Sequence, residues 1–280
     1  MVRYINIAVF KDTEEACRNV PRLTESIQKS LEGELFVSEK DSVPDGSSIK
    51  RFDSDAKIIV SKKRSFEAAQ SYAGQGYKVC VLNFASSTNP GGGVVNGSRA
   101  QEEGLCRVST LYFTLNTDEN WRRFYTPHRK AHNPLHNDDI IYTKNVTVFK
   151  SDTVSPELLP ESEWYDVDVI TCAAPNLREE PSNKHNPGDG DNAVTLTDEE
   201  LKALHGKRDA RIFDVAVQNE VDVLILGAFG CGAFRNNPAV VAEVMLRLAR
   251  KYSRSIKVIE FAVYCSSSDD ANYREFAKLL

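Results

Sequence analysis

No run of 18 apolar residues occurs in the 280-residue chain, so no membrane-spanning helix is expected. Excess positive charge is also missing. There are 35 lysines and arginines against 40 acids, a net charge of −5, and duplex nucleic-acid binding is not expected. Clusters such as Lys62-Lys63-Arg64 are short and read as solvated surface. Low basic charge does not exclude an anionic ligand, because backbone N–H groups bind phosphate without side-chain charge. No CxxC pair is present among the cysteines at 17, 80, 106, 172, 231 and 265. Cys80, Cys172 and Cys265 sit in apolar, strand-like runs, where a small buried thiol is expected. That usage fits a reducing compartment, and a cytoplasmic location is expected. The opening MVRYINIAVFKDTEEAC places acids directly after a short apolar run, so it does not read as a signal peptide. No repeat and no neutral polar linker occurs. One domain over 1–280 is expected, with about 1–60 as an N-terminal extension packed on it, and the protein is expected to be a monomer.

What is present alternates. RYINIAVF reads as a short strand, and residues 12–32 as helical with Pro21 interrupting. ELFVS and AKIIVS read as strands, then SFEAAQSYAGQG as a helix capped by Ser65 and ended by glycine. YKVCVLNFA (77–85), DVDVITCAAP (166–175), VDVLILGAF (221–229) and IKVIEFAVY are apolar strands of the kind a sheet covered on both faces requires. Ser98 and Gln101 have capping-box spacing for a helix carrying Leu105, Val108, Leu111, Tyr112 and Leu115. DIIYTKNVTVFKS reads as a hairpin or strand pair, and residues 117–137 as a long irregular excursion. NLREEPSNKHNPGDGDNAV is turn-rich. Thr197 and Glu200 form a second capping box, Asn237-Pro238 opens another helix, and DANYREFAKLL closes the chain as a helix. This pattern predicts a three-layer α/β/α fold, in which ligands bind outside the carboxyl ends of strands.

Two glycine-rich loops follow candidate central strands. The first contains Gly91-Gly92-Gly93 and the second, GAFGCGAFRNNP, contains Gly227, Gly230 and Gly232. Neither matches GxGxxG or a P-loop. They can be tight turns only, or backbone cradles for a diphosphate. Glu102 and Glu103 fall in the first turns of the helix after Ser98. They can merely serve the helix dipole. Alternatively, burial and like charge raise at least one of them, giving the protonated carboxyl that a glycosidic leaving oxygen needs.

His128, His132 and His136 recur every four residues, but Pro127 and Pro134 make one shared helical face doubtful, and no metal is expected. Cys231 has no adjacent histidine and reads as a small space-filling thiol, and GDGD at 188–191 as a turn, lacking the EF-hand pattern.

The string NFASSTNPGGGVVNGSRAQEEGLCR (83–107) resembles the catalytic segment of bacterial-type poly(ADP-ribose) glycohydrolases, a branch of the macrodomain superfamily. The shared signature is GGG, a seven-residue spacer, then Gln101-Glu102-Glu103. LGAFGCGAFRNNP (226–238) resembles the family's second phosphate loop, and the likeness runs from KRSFEAA through the last strand. The resemblance implies a macrodomain with a mixed central sheet, no cofactor, and an ADP-ribose polymer or ADP-ribosylated substrate as partner. It implies hydrolysis of ribose–ribose bonds, with Glu103 as general acid and then base. Glu102 would hold a hydroxyl next to the terminal ribose, with Gln101 beside it. Asn83 would bond the distal ribose. Gly91, Gly92, Gly93, Val94 and Val95 would line the diphosphate, faced by Gly230, Cys231, Gly232 and Ala233. Phe234 would pack its ring on the ligand, or else belong to the core. Phe84 and Phe229 are inward candidates for the base but read first as core. Two alternatives stay open: a hydrolase of mono-ADP-ribosylated protein or nucleobase, and a non-catalytic ADP-ribose reader.

Overall fold

The computed structural model describes residues 2–183, 187–265 and 269–280. Residues 184–186, inside the turn-rich segment expected after the 166–175 strand, lie outside the described residues. Among the described residues, seven strands form one mixed sheet. In chain order they are β1 (Leu35–Val37), β2 (Lys57–Ser61), β3 (Val79–Phe84), β4 (Ile140–Val148), β5 (Tyr165–Cys172), β6 (Val223–Leu226) and β7 (Val258–Ala262). Their spatial order is β1-β4-β5-β3-β6-β7-β2. The run β5-β3-β6-β7-β2 is parallel, while β4 and β1 are antiparallel additions at one edge.

The helices are α1 (Val2–Asn19), α2 (Pro21–Glu32), α3 (Ser65–Gln70), α4 (Gln101–Val108), α5 (Leu111–Leu115), α6 (Asp118–Asn120), α7 (Thr126–Ala131), α8 (Asp198–Gln218), α9 (Pro238–Lys251) and α10 (Ala271–Ala277). Alternate residues of β3 feed opposite layers. Cys80 and Leu82 join the core under α8 and α9, while Val79 and Val81 join the core under α3, α4 and α5. This two-sided burial is why the parallel strands read as unbroken apolar runs. The capping box at Thr197–Glu200 and the Asn237 cap with Pro238 form as predicted.

Several local expectations change. RYINIAVF is not a strand but the start of α1. Asn6, Phe10, Thr13 and Cys17 are its buried stripe, spaced four, three and four apart, whereas Tyr4 and Ile5 face solvent. Pro21 occupies the first position of α2, where a missing N–H costs nothing. Ser65 does not cap α3, because the cap position is Arg64, whose N–H donates to Glu67. The 140–148 segment is one strand, not a hairpin, with a bulge between Thr143 and Val146 where Asn145 adopts φ 55°. The 117–137 excursion is mostly helical. Thr117 caps α6, a π-helical turn spans Trp121–Tyr125, and α7 follows with Pro127 in its first turn. His132 ends α7 with φ 47° and His136 lies beyond Pro134 with φ 57°, so the three histidines share no helical face. Cys80 and Cys172 are buried as expected, but Cys265 is only half-buried, because β7 stops at Ala262.

α1 packs behind the wall that carries the glutamates. Asn6 donates to the Gly97 carbonyl at 3.1 Å, and Thr13 to the Arg107 carbonyl at 2.6 Å. α1 therefore packs on the turn at 94–97 and on α4, the helix that carries the glutamates.

Candidate active site

A cavity of about 540 Å³ opens outside the carboxyl ends of β5, β3, β6 and β7, a volume that suits a small organic ligand. Its walls come from the segment after β3 with α4, the glycine-rich loop after β6, and Tyr264 and Asn272 beyond β7. Four parallel strands ending side by side dictate this placement.

Glu102 and Glu103 both line it, and both are almost fully buried, at 2% and 7% exposed. Their two carboxylates are held by different segments. Glu102 accepts the Ser86 N–H at 2.7 Å and the Asn83 side-chain amide at 3.3 Å. Glu103 Oε1 accepts the Gly93 N–H at 2.9 Å, while its Oε2 is buried with no partner among the described residues. Burial pushes both carboxyls above the ordinary carboxylate range. For Glu102 the Ser86 N–H pulls back and the charge of Glu103 pushes further. For Glu103 the Gly93 N–H, and then the Arg107 charge, pull back without cancelling burial.

The three glycines now have a local reason. A Cβ on Gly92 would stand 2.6 Å from Glu103 Oε1 and 3.1 Å from Glu102 Oε2, and Gly92 has φ 56°. Gly91, with φ 65°, backs onto Tyr112, Val94 and Cys106 instead. The loop thus seats the carboxylates. Gly92 and Gly93 line the cleft, whereas Gly91, Val94 and Val95 do not. Val94 is core and Val95 is exposed to solvent.

Gln101 lines the cleft but spends its polar atoms on the scaffold. Its Oε1 accepts the Phe84 N–H at 2.9 Å, and its Nε2 donates to the Leu82 carbonyl at 2.8 Å and to Ser65 at 3.0 Å. It therefore fastens α4 to the end of β3, which is why no Ser98–Gln101 capping box forms and Ala100 takes the cap position. Asn83 is fully buried and off the cleft wall. Its Nδ2 donates to Glu102 and Thr171, while its Oδ1 is buried with no partner among the described residues.

Gly230, Gly232, Ala233 and Phe234 line the cleft. Among the described residues, the N–H groups of Gly232, Ala233 and Phe234 have no protein acceptor. Consecutive free N–H groups of this kind form an anion nest. Phe234 is half-buried, with the Arg178 guanidinium 5.7 Å from its ring centroid. Cys231 is off the cleft, and burial pushes its thiol up, which makes it a poor nucleophile. Phe229 is core, whereas Phe84 is half-buried, packs on Phe229 and lines the cleft.

Sequence reasoning missed the support behind this loop. Buried Asn236 donates to the carbonyls of Pro175, Gly230 and Phe234 and faces His205 at 2.8 Å, and His205 meets Asp209 at 3.2 Å. The four-residue spacing of His205 and Asp209 on α8 was the available signal. Ser86 was missed because a backbone donor leaves no mark in side-chain type. Tyr264, with Arg64 4.2 Å over its ring, was missed because it follows the last strand without a motif.

A family model described as microbial-type PARG, catalytic domain, matches residues 9–151, just over half of the chain. That match takes in most of α1, so the family likeness begins well before the KRSFEAA segment. The poly(ADP-ribose) glycohydrolase of Thermomonospora curvata, solved with the inhibitor ADP-HPD, is 28% identical with a TM-score of 0.83, over 99% of this chain and 100% of that one. The enzyme from Deinococcus radiodurans in complex with ADP-ribose is also 28% identical, with a TM-score of 0.76 over 90% of this chain and 95% of that one. No curated protein matches. The family match spans the glycine loop and both glutamates, and the solved structures match over nearly the whole chain, so this chain belongs to the microbial-type poly(ADP-ribose) glycohydrolase family.

Proposed function

We propose that the protein hydrolyses ribose–ribose O-glycosidic bonds in poly(ADP-ribose) and releases ADP-ribose, with Glu103 as general acid and then base. One observation carries the assignment of Glu103: on a residue that lines the cleft, Oε1 is fixed by the Gly93 N–H while Oε2 is buried with no partner among the described residues. A carboxyl raised by burial holds its proton to higher pH than an ordinary one, and Oε2 is the atom free to carry it. The related enzymes' ADP-ribose and ADP-HPD complexes support the ligand class.

In this reading the diphosphate sits on the free N–H groups of Gly232, Ala233 and Phe234, and Phe234 packs against the ligand. The base lies toward Tyr264, at the β7 end. The bond between the anomeric carbon and the leaving oxygen breaks with its electron pair going to oxygen. Oε2 supplies the proton. Positive charge develops on the ribose ring, and the nearby diphosphate favours it. Water then attacks the same carbon and returns its proton to Glu103, so no covalent intermediate is required. Adjacent carboxylates on one helix cannot flank the bond, so the usual two-sided glycosidase spacing does not apply. Glu102, held by Ser86 and Asn83, orients a ribose hydroxyl.

We take residues 1–280 as a single catalytic unit, monomeric and cytoplasmic, with no affinity for duplex nucleic acid. The single sheet, which draws strands from residues 35 to 262, supports the first point. Among the described residues no helix is long and apolar enough to cross a membrane. Labelled polymer incubated with the protein should yield monomeric ADP-ribose. Unchanged polymer at high protein concentration would overturn the activity. Turnover of mono-ADP-ribosylated protein in its place would favour the first alternative, and binding without any turnover would favour a reader.

A further inference from the structure

The helical excursion at 118–131 and the GDGD turn at 188–191 stand behind the cleft, and both converge on the segment leading into the glycines. Arg129, on α7, donates from Nε to the Thr88 carbonyl at 2.7 Å and from Nη2 to the Asn89 side-chain oxygen. Its guanidinium also lies 4.6 Å from the Trp121 ring centroid. The Asn89 carbonyl in turn accepts the Gly92 N–H at 3.0 Å. The next residue, Gly93, is the one whose N–H holds Glu103.

A second layer presses on the first. A Cβ on Gly188 would stand 3.1 Å from the Arg129 Cα, and one on Gly190 2.6 Å from the His132 carbonyl oxygen. Between them buried Asp189 reaches Ser87 at 3.1 Å and the Asn176 amide at 2.8 Å. Neither Arg129 nor Asp189 lines the cleft.

We propose that Arg129 is a positioning residue for the hydrolysis: it fixes the turn at 88–92 from behind, so that Gly93 holds Glu103 with Oε2 toward the sugar. The proposal rests on Glu103 as the general acid. Arginine suits the task because one planar group bonds two oxygens while its face stacks on Trp121. A lysine keeps the charge but cannot do both.

The mechanism makes a directional statement about pH. The Gly93 N–H pulls the Glu103 carboxyl down, so loosening that bond lets it rise. A general acid that rises stays protonated to higher pH, and the basic limb of the rate profile moves up. The other groups acting there are Glu102, Cys106 and Arg107 on α4. Arg64 and Asp152 act on Arg107, and Tyr125 lies near Glu102. A substitution at Arg129 leaves all of them in place, and Arg129→Lys also preserves the local charge.

The test is single-turnover release of ADP-ribose from labelled polymer across pH, using wild type, Arg129→Lys and Arg129→Ala, with ADP-ribose affinity measured by calorimetry. Rates should fall by about 10-fold for lysine and about 100-fold for alanine, the scale of a misplaced reacting group. The basic limb should move to higher pH in both variants. Affinity should change by less than about 3-fold, because the anion nest of the second loop is untouched. Wild-type rates and an unmoved limb overturn the proposal, as does a loss confined to affinity. If Arg129→Ala does not fold, Arg129→Lys decides by the same readouts. An active wild type with unaffected variants sinks this proposal alone, whereas a wild type that releases nothing sinks the function it rests on.

Discussion

At the scale of single residues, the glycines and glutamates form one unit. Gly92 sits in left-handed backbone with its missing Cβ aimed at Glu103 Oε1. Gly92→Ala should cost roughly 1–2 kcal/mol for that backbone conformation. It should lower turnover by about 100-fold, because the acid is displaced. Urea denaturation and steady-state release of ADP-ribose check the two parts separately. Glu103 has a second measurable signature. Its carboxyl is raised in the folded state, so folding binds the proton more tightly than the unfolded chain does. That contribution to stability is complete below the unfolded carboxylate value and is lost as pH rises through the folded value. Glu103→Gln, which has no charge to bury, should therefore gain in melting temperature relative to wild type as pH rises, with the gap closing in acid. Melting curves across pH check this, and a gap that widens toward acid contradicts the burial of Glu103.

At the scale of elements, the two loops differ in how they are held. The first is held from behind by Arg129 and in front by its own glutamates. The second is held by its own backbone turns and by one buried side chain, Asn236, with His205 and Asp209 beneath it. Asn236→Ala removes the side-chain donor from the Pro175, Gly230 and Phe234 carbonyls and the partner of His205 Nε2, although the Gly230 and Phe234 carbonyls keep backbone donors from residue 236 and Leu177. A loss of about 1–3 kcal/mol in urea denaturation is expected, with weaker ADP-ribose binding as the nest loosens. An unchanged midpoint and affinity would show that the loop holds itself. Elements also show where sequence reading works. Continuous apolar runs gave the buried strands, because burial on both faces leaves no alternation to misread. The Thr197 and Asn237 caps were legible for a similar reason, since their bonds are local. RYINIAVF misled because eight residues are too few to separate a strand from a helix, and its true stripe extends to Cys17. The excursion at 117–137 misled because its helices are short, are joined by a π turn, and carry a proline where the turn tolerates it.

At the scale of the molecule, the site is assembled from contributions far apart in sequence, from Arg64 to Asn272, on the carboxyl ends of four parallel strands. The glutamates and the second loop were legible, because glycine spacing and adjacent acids are visible in one dimension. Ser86 was unseen, because which atom faces the cleft depends on packing between β3 and α4. Ligand binding should stabilise the whole assembly, since the walls belong to one sheet. At 100 times its dissociation constant ADP-ribose should add about 2.7 kcal/mol, readable as a rise in melting temperature. No rise at saturating ADP-ribose would mean that the cleft does not take this ligand.

The most direct measurement pairs binding with turnover in Glu103→Gln. The account predicts ADP-ribose affinity close to wild type by calorimetry, together with a loss of polymer cleavage of about 100-fold or more, as expected when a general acid is removed. A Glu103→Gln protein that releases ADP-ribose at the wild-type rate would contradict it.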